Sequence, residues 1–454
     1  VNHHLFFADV VLKDTGVAEL LPTANTVIFD EAHQLPDTAT TFFGEFVSTS
    51  RIHELCRDTQ VEGLSKARDG ADWVALVGAL DKAVKDLRLT LPEGTNRMAL
   101  HQIPKQDAFM AAVETFIGAL ASLDEVLQAQ AERSEVLASC QVRTADMETF
   151  VRRWLALAKG EEKTDDVLWV ETFGLSMQLH LTPLSVADVF RKQREGTPRA
   201  WIFTSATLAI RQDFSYFSSR MGLDDAVSKT WPSPFDYGEN ALLYVPQKMP
   251  LPQSPHYSDA VVDAALPLIG AAGGRTFVLC TTLRAVGQIA ARLRAEFKER
   301  EWSFPLFVQG ESGKTDLLER FRKSGNGVLV GSQSFWEGVD VRGKALSLVV
   351  VDKLPFAPPD DPVLAARIRA LEKDGGNGFM DFQLPEAIMS LKQGAGRLIR
   401  DAGDRGVLMI CDTRLVSRPY GRRIWQSLPP FARTRDEATA RAFFDEPEQD
   451  DGTP

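Results

Sequence analysis

The chain has 454 residues, of which 44% are hydrophobic and 25% charged, with a formal net charge of −11. These values describe an ordinary globular protein long enough for roughly two to four domains, and no apolar run reaches the roughly 18 to 20 residues that a membrane-spanning helix needs. The acidic balance repels phosphate, so a nucleic-acid partner has to be held in a local basic groove.

The chain opens with Val1-Asn2-His3-His4. With no initiator methionine and no phosphate loop ahead of it, it is expected to be a piece of a longer polypeptide. Thr26-Val27-Ile28-Phe29 is short, β-branched and aromatic, which predicts a strand. It ends in Asp30-Glu31-Ala32-His33. Two adjacent carboxylates at a strand's C-terminal edge can hold Mg²⁺ and activate water: the first faces the metal and the second takes a proton. Standing alone, the tetrapeptide is equally a core strand that ends in solvated acids.

Between residues 45 and 165 the pattern is helical and shows no convincing strand. Trp73, Val77, Leu80, Val84 and Leu87 recur at helical spacing, as do Phe109, Val113, Phe116, Leu120, Leu123 and Leu127. Two core-packed helices are predicted, with a turn at Leu91-Pro92-Glu93-Gly94. Strands return at 167–170 and 177–181, and a third, Trp201–Thr204, opens into Ser205-Ala206-Thr207. These hydroxyls can bridge the carboxylate site to a neighbouring surface. Trp231-Pro232-Ser233-Pro234-Phe235 is read as a linker.

Beyond it, apolar runs at 276–280, 305–308, 327–331, 346–351 and 407–411 alternate with helical segments. Fully apolar strands in alternation with helices predict a doubly wound α/β fold with a parallel sheet. The tail from 436 becomes strongly acidic after Glu446.

Phe335-Trp336-Glu337-Gly338-Val339-Asp340 offers a glycine for close backbone approach and a carboxylate to fix a ribose or a basic group. In Gln393-Gly394-Ala395-Gly396-Arg397-Leu398-Ile399-Arg400 the arginines stand three apart. On one side of a helix both could converge on a polyphosphate. Gly310-Glu311-Ser312-Gly313-Lys314-Thr315 imitates a phosphate loop, but position 308, where its first glycine belongs, is Val308. The four cysteines, Cys56, Cys140, Cys280 and Cys411, form no CxxC pair. They therefore offer neither a zinc site nor a disulfide framework, and a reducing cytoplasm is the simplest setting.

The carboxylate tetrapeptide, the Ser-Ala-Thr step, the Glu-Gly-Val-Asp segment and the glycine–arginine motif follow one another in a fixed order. With them the sequence resembles the superfamily 2 helicases, and within these the XPD/DinG branch of DNA helicases. Asp352-Lys353-Leu354-Pro355-Phe356-Ala357-Pro358-Pro359-Asp360-Asp361-Pro362 looks like a signature of that branch, as does Asp412-Thr413-Arg414 followed by Pro419-Tyr420-Gly421-Arg422.

The resemblance implies two RecA-like doubly wound parallel-sheet motor domains and an inserted all-helical arch. The first motor domain would comprise 1–44 and 166–230, the arch 45–165 and the second motor 235–435. ATP and Mg²⁺ are the implied cofactors. Asp30 would hold the metal, Glu31 would handle water, and His33 would couple the site to Ser205 and Thr207. Gln393, Arg397 and Arg400 would contact the γ-phosphate, with Gly338 and Asp340 completing the cleft.

Single-stranded DNA would be drawn through 5′ to 3′, and forked or duplex DNA unwound, alongside replication or repair proteins. Candidate DNA contacts are Asn2, His3, Thr281, Thr282, Phe335 and Trp336, with Arg414, Arg418 and Tyr420 weaker. The family's phosphate loop and its 4Fe–4S cluster belong upstream of this chain, so these 454 residues alone are expected to be inactive. The rival from another class is a non-catalytic DNA-binding scaffold; an RNA helicase is a weaker third, disfavoured by the 352–362 segment and the helical insertion.

Overall fold

The structure is a computed structural model that describes residues 2–14, 19–195, 199–332, 335 and 345–445. The chain forms two compact units. The first comprises Val1–Thr204, Ser219–Asp224 and Ala357–Gly378; the second comprises Ser205–Ser218, Asp225–Phe356 and Phe379–Pro454.

In the first unit, β1 (Thr26–Phe29) pairs in parallel with β6 (Ala200–Phe203), Thr26 opposite Ala200 and Phe29 opposite Phe203. Aromatic rings order this pair. The Phe29 ring lies 4.9 Å from Phe6 of α1 (His3–Asp14), 5.3 Å from Phe203 and 6.3 Å from Phe190 of α7 (Ala187–Arg194). Such contacts add to the burial of large apolar surface. A helix, α2 (Leu35–Phe43), follows the acidic motif.

The insertion then runs through α3 (Thr49–Lys66), α4 (Trp73–Leu89), α5 (Gln106–Gln130) and α6 (Glu135–Lys159). Every apolar residue of the two stripes named above is buried there, as helical spacing requires. Asp72 and Ser134 cap α4 and α6 by accepting from the Ala75 and Val136 amides.

These helices share their core with a sheet. Four antiparallel strands, in the order β2 (Glu45–Ser48), β5 (Ser176–Thr182), β4 (Val167–Phe173), β3 (Asn96–Ala99), present Val47, Val170, Leu179 and Leu181 to the helical core. The insertion is therefore not helical alone, and β2 and β3 escaped sequence reading because Glu45-Phe46-Val47-Ser48 and Asn96-Arg97-Met98-Ala99 are neither fully apolar nor alternating. The far side of the sheet meets α13 (Pro362–Lys373) through Val363, which packs with Val167 and Trp169.

The second unit is built on a seven-stranded, wholly parallel sheet in the order β13-β7-β12-β11-β8-β10-β9. Its strands are β7 (Ala241–Tyr244), β8 (Thr276–Leu279), β9 (Leu306–Val308), β10 (Val328–Gly331), β11 (Leu348–Val351), β12 (Gly406–Ile410) and β13 (Ala432–Thr434). Leu348 and Val350 point into one core with α10 (Tyr257–Ala271) and α11 (Leu283–Glu299). Val349 and Val351 point into the other, with α12 (Lys314–Ser324) and α14 (Leu384–Ala395). Burial on both faces is why these strands lack polar alternation, and the doubly wound fold is as expected.

Candidate functional site

In the first unit β1 delivers its carboxylates as the sequence anticipates. Asp30 Oδ1 accepts from the Thr204 hydroxyl at 3.1 Å and from the Glu31 amide at 3.0 Å. The Ala32 amide donates to the Thr204 carbonyl at 2.9 Å. Thr204 thus ties the end of β6 to the acidic turn. Glu31 sits in the left-handed region, φ 49° and ψ 41°, which is uncommon for a residue with a side chain. The twist turns its carboxylate out to solvent, 60% exposed, with Oε2 3.3 Å from His33 Nδ1. An exposed carboxylate beside an imidazole is placed to orient or deprotonate water.

Asn2 and His3 serve this same corner. Asn2 Oδ1 accepts from the Leu5 amide at 2.8 Å and caps α1, while His3 Nε2 lies 2.9 Å from the Asp30 carbonyl oxygen. Both residues were expected at a DNA surface; in the structure Asn2 starts α1 and His3 holds it against the acidic turn.

In the second unit Ser205 Oγ accepts from the Thr207 amide at 3.2 Å, and Gln393 Nε2 lies 3.4 Å from Thr207 Oγ1. The neighbouring Lys392, whose pKa is lowered by burial, donates to the Ala209 carbonyl at 2.9 Å. The Ser-Ala-Thr segment is therefore moored to α14.

The arginines correct the expectation of a shared helical face. α14 ends at Ala395, Gly396 is its C-cap, and Arg397 and Arg400 lie in the turn and loop beyond. Glycines at 394 and 396 weaken the helix, and the consecutive Leu398 and Ile399 are both buried, which suits a loop entering the core. Asp404 shapes that loop by accepting from the Arg400 and Asp401 amides, both at 2.8 Å. Sequence reasoning missed Asp404; an acid four residues after an arginine, across Ala402-Gly403, was its only signal.

Among the DNA candidates, Thr281 and Thr282 follow β8 at the carboxyl edge of the sheet, where ligands of open α/β folds bind. Thr282 Oγ1 caps α11 by accepting from the Ala285 amide at 3.1 Å. Phe335 is 2% exposed and fills the space beside Gly331, where a Cβ would meet its ring at 2.9 Å. It packs in the core instead of offering a face to a base, which corrects its assignment. Trp336, Gly338 and Asp340 lie outside the described residues. Arg414 is held by both oxygens of Asp412, at 2.9 and 2.6 Å.

Asp30 supplies one hard carboxylate at an exposed strand end. That suits Mg²⁺ arriving with phosphate and water ligands. No group of three or more His, Cys, Asp or Glu among the described residues could cage an ion by itself. The cysteines do not fit an iron–sulfur cluster: Cys56 and Cys140 are buried in the first unit, Cys280 and Cys411 in the second. Among the described residues no helix is long and apolar enough to cross a membrane.

Residues 266–431 match the helicase C-terminal domain family. The chain is 42% identical over 440 residues to the ATP-dependent DNA helicase YoaA of Haemophilus influenzae, covering 96% of this chain and 67% of that protein. It is 42% identical over 444 residues to YoaA of Escherichia coli, covering 98% and 68%. The ATP-dependent helicase DinG of Mycobacterium tuberculosis is 36% identical over 311 residues, covering 66% and 46%. Among solved structures, an XPD helicase superposes with a TM-score of 0.59 at 15% identity, covering 95% of this chain and 72% of that one. XPD in its apo form gives 0.60 at 15%, covering 95% and 80%. These two likenesses establish the fold. The chain belongs to the YoaA–DinG family of ATP-dependent helicases.

Proposed function

We propose that this polypeptide is the motor part of an ATP-dependent DNA helicase that moves 5′ to 3′ along single-stranded DNA and opens forked or duplex DNA in replication or repair. The observation that carries this reading is the acidic turn after β1: Asp30 fixed by Thr204, and Glu31 thrown outward in a left-handed conformation beside His33. Asp30 holds Mg²⁺ and Glu31 positions or deprotonates the attacking water, with His33 relaying the state of the site to Ser205 and Thr207. Gln393, Arg397 and Arg400 neutralise charge on the γ-phosphate as it is transferred. Thr281 and Thr282 hold the DNA backbone.

Hydrolysis needs a phosphate loop, and the Gly310–Thr315 segment does not provide one. Its loop is closed by Ser312 Oγ donating to Asp316 at 2.7 Å, and the Lys314 amine lies over the Phe335 ring at 5.5 Å. Turnover is therefore proposed for this polypeptide extended to carry such a loop, and these residues alone are expected to be inactive.

The test is ATP hydrolysis by that extended protein, with and without single-stranded DNA, beside Glu31→Gln. DNA-stimulated turnover that the variant loses supports the motor and its base. Normal hydrolysis in the variant removes Glu31 from its role. Absent turnover with DNA binding intact would replace the motor with a scaffold.

A further inference from the structure

The carboxyl edge of the seven-stranded sheet holds a buried acid that the proposed hydrolysis does not use. Asp352 follows β11 and is 1% exposed. Its Oδ1 accepts from the Thr281 amide at 2.9 Å and the Lys353 amide at 2.6 Å, and its Oδ2 is 3.3 Å from Thr281 Oγ1. The Tyr257 hydroxyl donates to the Asp352 carbonyl at 2.8 Å, which pins the backbone.

A threonine hydroxyl has one proton to give. Facing an ionised carboxylate, Thr281 donates that proton inward and turns only lone pairs outward, towards which a phosphate is not attracted. Facing a neutral carboxyl, Oδ2–H donates to Thr281 Oγ1, and the hydroxyl proton is free to point out at an anionic oxygen.

We propose that Asp352 is a positioning residue that sets the direction of the Thr281 hydroxyl, so that a backbone phosphate of single-stranded DNA is gripped through Thr281 when Asp352 is protonated and released when it ionises. The proposal rests on the reading that Thr281 and Thr282 contact DNA.

The surroundings suit such a change near neutral pH. Burial pushes the Asp352 carboxyl up to about 7, against the hydrogen bonds and charge of Lys353 and the hydrogen bonds of Thr281, which pull it down. Other titratable groups face it from the neighbouring elements. From α10, Tyr257 is raised by burial, as are Cys280 from the end of β8 and Cys411 from the end of β12. Asp412 is paired with Arg414 at 2.6 Å, and the Lys353 ammonium sits over the Tyr257 ring at 4.9 Å.

The experiment is fluorescence anisotropy of labelled oligo(dT) titrated with the protein from pH 6 to 8.5, at fixed salt. Asp352→Asn is nearly isosteric, and its amide can occupy the Oδ2 position and donate permanently to Thr281 Oγ1. Wild-type affinity should fall roughly threefold to tenfold across this range, the worth of one hydrogen bond. Asp352→Asn should hold the tight, low-pH affinity throughout. Thr281→Val, which keeps the shape and removes the hydroxyl, should bind at the weak level throughout.

A wild-type pH profile retained in Asp352→Asn, with Thr281→Val still weakened, overturns the proposal and leaves the DNA reading standing. Unchanged affinity and profile in Thr281→Val, or a protein that binds no oligonucleotide, removes the DNA reading and the proposal together. If thermal melting shows Asp352→Asn unfolded, Thr281→Val alone decides, because loss of its pH dependence is required.

Discussion

The two parallel sheets of this chain carry similar sequence signatures and have different surroundings. In the seven-stranded sheet every residue of β7, β8, β10, β11 and β12 is buried. In the β1–β6 pair, Ile28 is 64% exposed and Ile202 43%. One unit places its loops on a sheet closed by helices on both faces. The other holds its acidic turn on two strands packed on one face only, by the rings of Phe6, Phe190 and Phe203. The lesson is that a strand's apolar sequence reports the kind of sheet it builds, whereas its burial reports what covers each face. Local stability should differ accordingly.

The largest effect that bears on this contrast is catalytic. Arg397→Ala in the extended protein should lower kcat about 10³-fold or more, with nucleotide binding largely intact. Single-turnover hydrolysis beside nucleotide titration checks this, and near-native turnover would remove Arg397 from phosphate. Next is packing. Phe29→Ala should destabilise the first unit by about 3–5 kcal/mol, whereas Ile28→Ser on the exposed side of the same strand should stay within about 0.5 kcal/mol. Hydrogen exchange of β1 and β6 measures both, and equal losses would mean that the two faces are equally covered.

A smaller effect separates the units by pH. The ordinary carboxyl value is 3.8, and Asp352 in the fold is raised to about 7. Its contribution to stability is therefore full below about pH 4, falls as pH rises to about 7 and is flat above that. Asp352→Asn lacks this loss, so its stability relative to wild type should climb across that window and plateau at a few kcal/mol. Denaturant unfolding followed in the second unit, between pH 4 and 8, shows it; a difference independent of pH would mean that Asp352 stays ionised throughout. Smallest is Asp404→Ala, which frees the Arg400 and Asp401 amides and should cost about 1–2 kcal/mol locally. In the extended protein it should lower kcat more than it raises KM for ATP. An equal change in both would make Asp404 a structural brace only.

Much of this was legible. β1 and its acids, the five apolar strands after residue 270 and the two long helical stripes follow from periodicity, because burial on a helix face or inside a sheet leaves a pattern in the chain. β13 (Ala432–Thr434) leaves none, being three residues long and only partly covered. The arginine loop was misread because three-residue spacing fits a helix, while the two glycines and the paired Leu398-Ile399 say the helix stops. Phe335 beside Trp336 resembled a stacking surface, and only the space over Gly331 shows where Phe335 goes. Asp352 and Asp404 act through amides distant or local in sequence, and an acid's partners are not written beside it.

The allocation of segments to the two units has a consequence for the order of synthesis. Strands β3 and β4 leave the ribosome well before Ala357–Gly378, the stretch whose Val363 covers Trp169. Roughly 180 residues, most of the second unit among them, must be made in between, which at common elongation rates takes about ten to forty seconds. During that interval the Val167 and Trp169 side of the antiparallel sheet waits without its partner helix. A nascent chain stalled before residue 357 should therefore engage holding chaperones through this surface, and release should coincide with the emergence of α13.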